Sequence, residues 1–201
     1  MPKLLYQGHS SFRLTTDDGW IVYVDPNAGE GYDIPADIIL VTHQHSDHNQ
    51  IQKCAQKDGC RIITNNEALE GGKHNAFDIN GIKIQAVRAK SIMHSPKKCV
   101  GYIITIDDVK LYASGDTSKT AQMESFAALK LDYAMFPGAG FLSMGPKEAA
   151  ACARIIGAKH NILIHHSPFV IFDRDKAEKW DAPGKLVPEP GQEITLSKEE
   201  E

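Results

Sequence analysis

The chain has 201 residues, 42% hydrophobic and 24% charged, which excludes a disordered chain and allows a core of ordinary domain size. Lys and Arg number 22 against 26 Asp and Glu, a net charge of −4, so no cationic excess advertises nucleic-acid binding, and no apolar run nears the roughly 20 residues that cross a bilayer. The opening MPKLLYQGHSSF lacks the apolar core of a secretion signal, and Cys54, Cys60, Cys99 and Cys152 form no C-x-x-C pair, so they read as reduced thiols of a cytoplasmic protein.

Residues 3–6 read as an edge strand, which Gly8, His9 and Ser10 interrupt and residues 11–15 resume. Asp17, Asp18 and Gly19 give a hairpin turn, and residues 20–24 return as a strand ending at Asp25 and Pro26. A polar, Gly-rich loop over 27–35 lies at the same end of the sheet. The apolar run Ile38, Ile39, Leu40, Val41 predicts a buried strand. Ile51, Cys54 and Ala55 give residues 49–57 the spacing of a short amphipathic helix, and residues 60–64 read as another buried strand. A helical turn over 65–69 stops at Gly71 and Gly72. Strands over 77–79 and 82–89 flank Asn80-Gly81, a tight-turn pair. Strands over 100–106 and 109–113 pair across Asp107 and Asp108.

The second half alternates. A helix over 118–131 precedes a strand over 133–136; a helix over 146–156, with Pro146 in its first turn and Gly157 past its end, precedes a strand over 161–164. A helix over 173–180, a short strand over 193–196 and a charged, frayed tail over 197–201 complete the chain. Hairpins followed by strand–helix alternation, with no linker or repeat, imply an α+β architecture: two sheets face to face with helices outside, one domain over 1–201.

Directly after the run ending at Val41 and Thr42 come His43, His45, Asp47 and His48, within six positions. These are ligand types for zinc, manganese and iron(II). In an extended loop His43 and His45 point to one side, while Asp47 and His48 fall where the chain turns and can face a second position. Structural zinc sites favour cysteine and closed shells, so the pattern points to an open, catalytic centre. Three further strand ends carry the same grammar: His94 after 82–89, Asp116 after 109–113, and His165 with His166 after 161–164.

The order H-x-H-x-D-H resembles the signature of the metallo-β-lactamase superfamily. GHSSF near the start, the Asp-Pro pair after the second strand, MGPKEAA and ILIHHSPF resemble one branch, the UlaG-like metal-dependent hydrolases, which includes sugar-phosphate lactonases. The resemblance covers nearly the whole chain. It implies the four-layer αβ/βα sandwich of the metallo-β-lactamase fold. It also implies two divalent ions, zinc foremost with manganese or iron as alternatives. The first ion takes His43, His45 and His94; the second takes Asp47, His48 and His165; Asp116 bridges them. His165 is preferred because it directly ends the strand, and alternation sends His166 to the other side, toward a place where it meets substrate.

The activity so implied is hydrolysis of an ester, lactone or phosphodiester by a metal-activated hydroxide, with Asp47 holding the nucleophile. The expected partner is a small-molecule substrate, with no membrane and no clear nucleic acid; a homo-oligomer stays open. Two alternatives remain: a mononuclear iron oxidoreductase like the persulfide dioxygenases, and a non-catalytic metal-binding protein. His9 orients a ligand or merely makes a turn; Asp25 holds a ligand histidine by its other ring nitrogen or caps a turn. Lys97 and Lys98 draw an anionic substrate or form a solvated loop.

Overall fold

The computed structural model describes residues 1–169 and 171–198; most of the tail expected to fray falls outside them. Lys3–Gly8 (β1), Ser11–Thr15 (β2), Ile21–Val24 (β3), Ala36–Leu40 (β4), Gln56–Ile63 (β5) and Glu193–Thr195 (β13) build one sheet, ordered β13-β1-β2-β3-β4-β5. Ala76–Ile79 (β6), Ile82–Arg88 (β7), Val100–Ile106 (β8), Val109–Ala113 (β9), Tyr133–Pro137 (β10), His160–Ile164 (β11) and Lys185–Leu186 (β12) build the other, ordered β12-β11-β10-β9-β8-β7-β6.

The pairing senses decide where the site lies. In the first sheet β1, β2 and β3 pair antiparallel, and β3, β4 and β5 parallel. Strands β1, β3 and β4 therefore all end at the same edge. In the second sheet β7, β8 and β9 pair antiparallel, and β9, β10 and β11 parallel, so β7, β9 and β11 share an end too. His9, Asp25, His43, His94, Asp116 and His165 each follow the carboxyl end of one of these six strands.

Apolar inward faces of both sheets form one core, with Leu4, Phe12, Leu14, Ile38 and Leu40 on one side and Ile84, Tyr102, Ile104, Leu111 and Met135 on the other. The Tyr102 hydroxyl spans the gap, 3.0 Å from the Val41 carbonyl oxygen and 3.3 Å from that of Ile63. Outside the second sheet lie Met123–Phe126 (α2), Pro146–Ile156 (α3) and Arg174–Lys179 (α4), with Asn65–Ala68 (α1) following β5. Pro146 opens α3 after Gly145, and Gly157 closes it at φ 68°. Its buried Ala149, Ala150, Cys152, Ala153 and Ile156 recur at helical spacing and pack on Ala134, Phe136 and Leu163 of the sheet. The first sheet's outer face is covered differently, by Tyr32 of the 27–35 loop and by Cys54 after a 3₁₀ turn.

Several expected elements changed. The first strand is not an edge strand, because β13 pairs with β1; and β2 does not resume β1 but folds back on it antiparallel. The helix expected over 49–57 is only the 3₁₀ turn Ile51–Lys53, with no side-chain cap, because Ala55 exchanges backbone hydrogen bonds with Tyr32 and Ala36 and leads into β5. The strand expected to be buried over 60–64 lies in β5, an exposed sheet edge with only Ile63 buried. The helix expected over 118–131 is the single turn α2 followed by a 3₁₀ turn. Its intended first turn is held elsewhere, Ser118 N–H by the Lys90 carbonyl and Lys119 N–H by Glu148. Strand β12, two residues long, is too short to leave a periodicity.

Candidate metal centre

The geometry starts at the end of β3. Asp25 is 1% exposed and accepts three hydrogen bonds: Thr42 N–H on Oδ1 at 2.7 Å, and the Thr42 hydroxyl and His48 Nδ1–H on Oδ2 at 2.7 Å each. The Thr42 hydroxyl spends its proton on Asp25, so it accepts from His43 Nδ1–H at 3.1 Å. One carboxylate thus sets the tautomer of two imidazoles, directly for His48 and through Thr42 for His43, and leaves both Nε2 lone pairs free to face inward. Of the two readings left for Asp25, holding a ligand histidine is the one its contacts match. Thr42 carried no signal beyond its place between the strand and His43.

Three overlapping groups of potential ligands result, each with its atoms within 4.8 Å of one another, and His43, His48 and Asp116 make the one that joins the other two. His43, His45 and His94 form the first. His94 Nε2 and His45 Nδ1 lie 3.2 Å apart, close to the roughly 3.3 Å between two nitrogens at the tetrahedral angle about one zinc ion. Ser91 Oγ at 2.7 Å and the Leu142 carbonyl at 3.2 Å accept from His94 Nδ1–H, fixing that ring as well. His9, Asp47, His48 and His165 form the second group. Asp116, 5% exposed, stands between them: Oδ2 is 3.3 Å from His165 Nε2 and 3.7 Å from His94 Nε2, and Oδ1 is 3.7 Å from His48 Nε2. All seven expected side chains therefore meet at one rim.

The sequence left His9 undecided between orienting a ligand and making a turn. Its side chain is fully enclosed, with Nε2 3.1 Å from Asp47 Oδ2 and its ring 3.8 Å from that of His165. Its carbonyl oxygen accepts from His165 N–H at 2.9 Å. His166 departs from expectation. Its Nε2–H donates to the Leu163 carbonyl at 2.7 Å, its Nδ1 accepts from Asp173 N–H at 3.0 Å, and its ring packs on Phe172. Both nitrogens are held by backbone, so this histidine braces the loop.

Backbone strain concentrates here. Among the described residues, seven other than glycine have positive φ. Asn80, Asp107 and Asp108 sit in hairpin turns and Lys130 ends a 3₁₀ turn. The other three are His9, Asp25 and His165, at 54°, 46° and 47°. Left-handed backbone at histidine is uncommon, and such strain gathers where a fold must aim a side chain. Gly115 makes a related concession: at φ 60°, a Cβ there would lie 2.9 Å from Thr42 Cβ and from the Val100 carbonyl oxygen. Only glycine lets the chain carrying Asp116 press this close to the histidine loop.

The charges are set against one another. Burial pulls the His48 imidazolium down, but Asp25, Asp116 and Asp47 outweigh it and push the group up to about 9. Burial, followed by the neighbouring His48 and His94, pushes His43 far down. Burial also works against ionised Asp47, yet the nearby His165 ring and the hydrogen bond from His9 hold its carboxyl well below the usual carboxylate range. His43 Nε2, His48 Nε2, His165 Nε2 and Asp116 Oδ1 are buried without a hydrogen-bond partner among the described residues. Each such orphan costs about 1–3 kcal/mol, and four converging ligand atoms fit divalent cations, which take the place of the His48 Nε2 proton, rather than one another.

Comparison with known proteins agrees with this geometry. A family profile described as the beta-lactamase superfamily domain matches residues 3–165. A protein of Thermococcus onnurineus named a metal-dependent hydrolase is 27% identical over 98% of this chain and 100% of its own. A like-named protein of Bacillus subtilis is 26% identical over 86% of this chain and 89% of its own. In the solved structure of a metallo hydrolase from Ignicoccus hospitalis, 20% identical, the fold superposes with a TM-score of 0.74 over 98% of this chain and 99% of that one. With most of its length matched and its two sheets arranged as the motif implied, this chain belongs to the metallo-β-lactamase superfamily.

Proposed function

We propose that the protein is a cytoplasmic, single-domain hydrolase of the UlaG-like branch that uses two divalent ions, zinc foremost, on an ester, lactone or phosphodiester of a small molecule. The observation that carries this reading is the set of orphaned nitrogens and oxygen converging from the ends of β4, β9 and β11. Relatives named metal-dependent hydrolases support it, and two ligand groups that share no residue, His43 with His45 and His94 and His9 with Asp47, His48 and His165, favour two ions over the single iron of the oxidoreductase alternative. Four free thiols suit a reducing compartment.

A bound pair of divalent cations supplies a water of lowered pKa and polarises the substrate's carbonyl or phosphoryl oxygen. The chain's own groups do the rest. His43, His45 and His94 hold one position; His48, His165 and Asp47 hold the other; Asp116 lies between. Asp47, with 33% of its side chain exposed, is the more open of the two carboxylates. Ionised and anchored by His9, it accepts a hydrogen bond from the attacking water and aims it.

Elemental analysis of the purified protein, followed by lactone, ester and phosphodiester assays on the identified metal form, tests this. Two ions per chain are expected. His45→Ala, at the exposed end of the cluster, should lower metal content and cut turnover by at least a hundredfold. Full activity in a metal-free preparation overturns the reading.

A further inference from the structure

Large apolar side chains left in water gather at one end of the molecule. Apart from Met1, the five most exposed among the described residues are Ile92, Met93, Phe141, Phe169 and Ile171, between 58% and 94% exposed, while Ile34, Ile62 and Leu129 reach only 37–38%. Ile92 and Met93 follow β7, Phe141 follows β10, and Phe169 and Ile171 follow β11. Strand β10 pairs parallel to β9 and β11, so all three loops leave the rim that carries the metal centre. Hydrogen bonds stitch the loops together: the Ser91 hydroxyl donates to the Leu142 carbonyl, and Gly138 N–H donates to the carbonyls of Ile164 and His165 at 2.9 and 3.2 Å. Apolar residues exposed singly are ordinary, but a group of them on one end marks a surface that something covers.

The same loops are free of acid. Residues 89–99, 138–145 and 165–172 hold no Asp or Glu, in a chain that has 26. They do hold Lys90, Lys97 and Lys98, all exposed, and none of the three forms an ion pair among the described residues. The first acid beyond them, Asp173, caps α4 by accepting from Lys176 N–H at 2.9 Å. Exposure and charge together select what covers the apolar tips. An isoleucine 94% exposed, as Ile92 is, encloses no small molecule. A second copy docked through a two-fold axis sets the patch against itself, so three lysines face three lysines with no acid on these loops to offset them. An anionic bilayer surface suits both features, since its acyl boundary takes the apolar tips and its headgroups pair with the lysines.

We propose that these loops dock the protein peripherally on an anionic lipid surface, with Ile92, Met93 and Phe141 entering the headgroup boundary and Lys90, Lys97 and Lys98 meeting the phosphates. The expectation of no membrane partner concerns crossing: no described helix is long and apolar enough to span a bilayer, but lying on its surface needs no spanning segment. Docking of this kind needs no turnover, so it stands apart from the hydrolase reading.

Co-sedimentation of the zinc-loaded protein with vesicles tests this. Vesicles of phosphatidylcholine and phosphatidylglycerol in a roughly three-to-one ratio should bind wild type at least tenfold more tightly than vesicles of phosphatidylcholine alone, and added salt should weaken the binding. Ile92→Ser/Phe141→Ser should lower partitioning onto the mixed vesicles at least tenfold, with an unchanged melting temperature because both side chains already stand in water. Lys97→Gln/Lys98→Gln should lower it severalfold and flatten its salt dependence. In Phe141→Trp, emission should move to the blue on the mixed vesicles relative to wild type, whose Trp20 and Trp180 supply the baseline. No sedimentation of wild type, equal partitioning of either double variant, or unshifted emission on vesicles that bind overturns the proposal. So does a wild-type dimer in analytical ultracentrifugation that the serine pair dissociates while vesicle binding stays the same, because the tips then belong to a second copy.

Discussion

Asp25 Oδ2 lies 2.7 Å from His48 Nδ1 and 2.7 Å from the Thr42 hydroxyl, so one buried carboxylate orders two of the imidazoles around the centre. Among the described residues this carboxylate makes no hydrogen bond to His43 or Asp116, and it works through tautomers and ring angles. Asp25→Asn keeps the volume but replaces one acceptor oxygen by a donor NH₂, which opposes either Thr42 N–H or His48 Nδ1–H. Partners of this kind are worth about 10–100-fold in metal affinity. A zinc titration of Asp25→Asn against wild type should show that loss, with the fold retained by circular dichroism. Wild-type affinity in the variant would mean that the contact is structural only.

The same carboxylates predict how acid competes with metal. In the ion-free protein His48 is pushed up to about 9 by Asp25, Asp116 and Asp47 against the pull of burial. A ligand imidazole must shed its proton, so ion uptake releases it, and apparent affinity falls as pH drops below about 9. The folded value lies above the unfolded one of about 6.5. The charged His48 therefore stabilises the ion-free fold fully below about pH 6.5, and this contribution disappears as pH rises through about 9. Melting temperatures of ion-free wild type and His48→Gln, compared at pH 6 and pH 9.5, should show the larger drop for wild type. Parallel drops would refute the charge assignment.

How much of this was legible in the sequence depends on range. Hairpins announced by Asn80-Gly81 and Asp107-Asp108, and the helix bounded by Pro146 and Gly157, emerged at their expected places because turn and cap chemistry is local. Elements settled by distant partners did not. Ala55 was drawn out of a helix by Tyr32 and Ala36, and Ser118 was claimed by Lys90. At the centre, alternation separated His165 from His166, but only the Leu163 carbonyl and Asp173 N–H show that His166 is occupied elsewhere. The importance of Thr42 and Gly115 was not readable at all. A hydroxyl relaying between Asp25 and His43, and a missing Cβ against Val100, depend on chain approaches that no spacing encodes.

His9 brings this to a test, because its bonds reach both the Asp47 carboxylate and the His165 backbone. The ring packs at a 40° tilt against that of His165, centroids 3.8 Å apart, and its Nε2 meets Asp47 Oδ2 at 3.1 Å. Two roles are mixed there, packing and orientation, and substitutions can separate them. His9→Phe keeps an aromatic ring against His165 and loses the bond to Asp47; His9→Gln keeps a donor and loses the ring. If His9 acts as a positioning residue, His9→Phe should melt within a few degrees of wild type yet bind its second zinc ion about tenfold more weakly, a loss within the range for groups that orient ligands. It should also lower kcat more than it raises KM, since a misaimed Asp47 affects the reacting water rather than substrate binding. His9→Gln should recover part of the affinity for the second ion despite a lower melting temperature. A ring that only packs predicts the reverse order, with Phe conserving both metal content and kcat while Gln loses them along with stability.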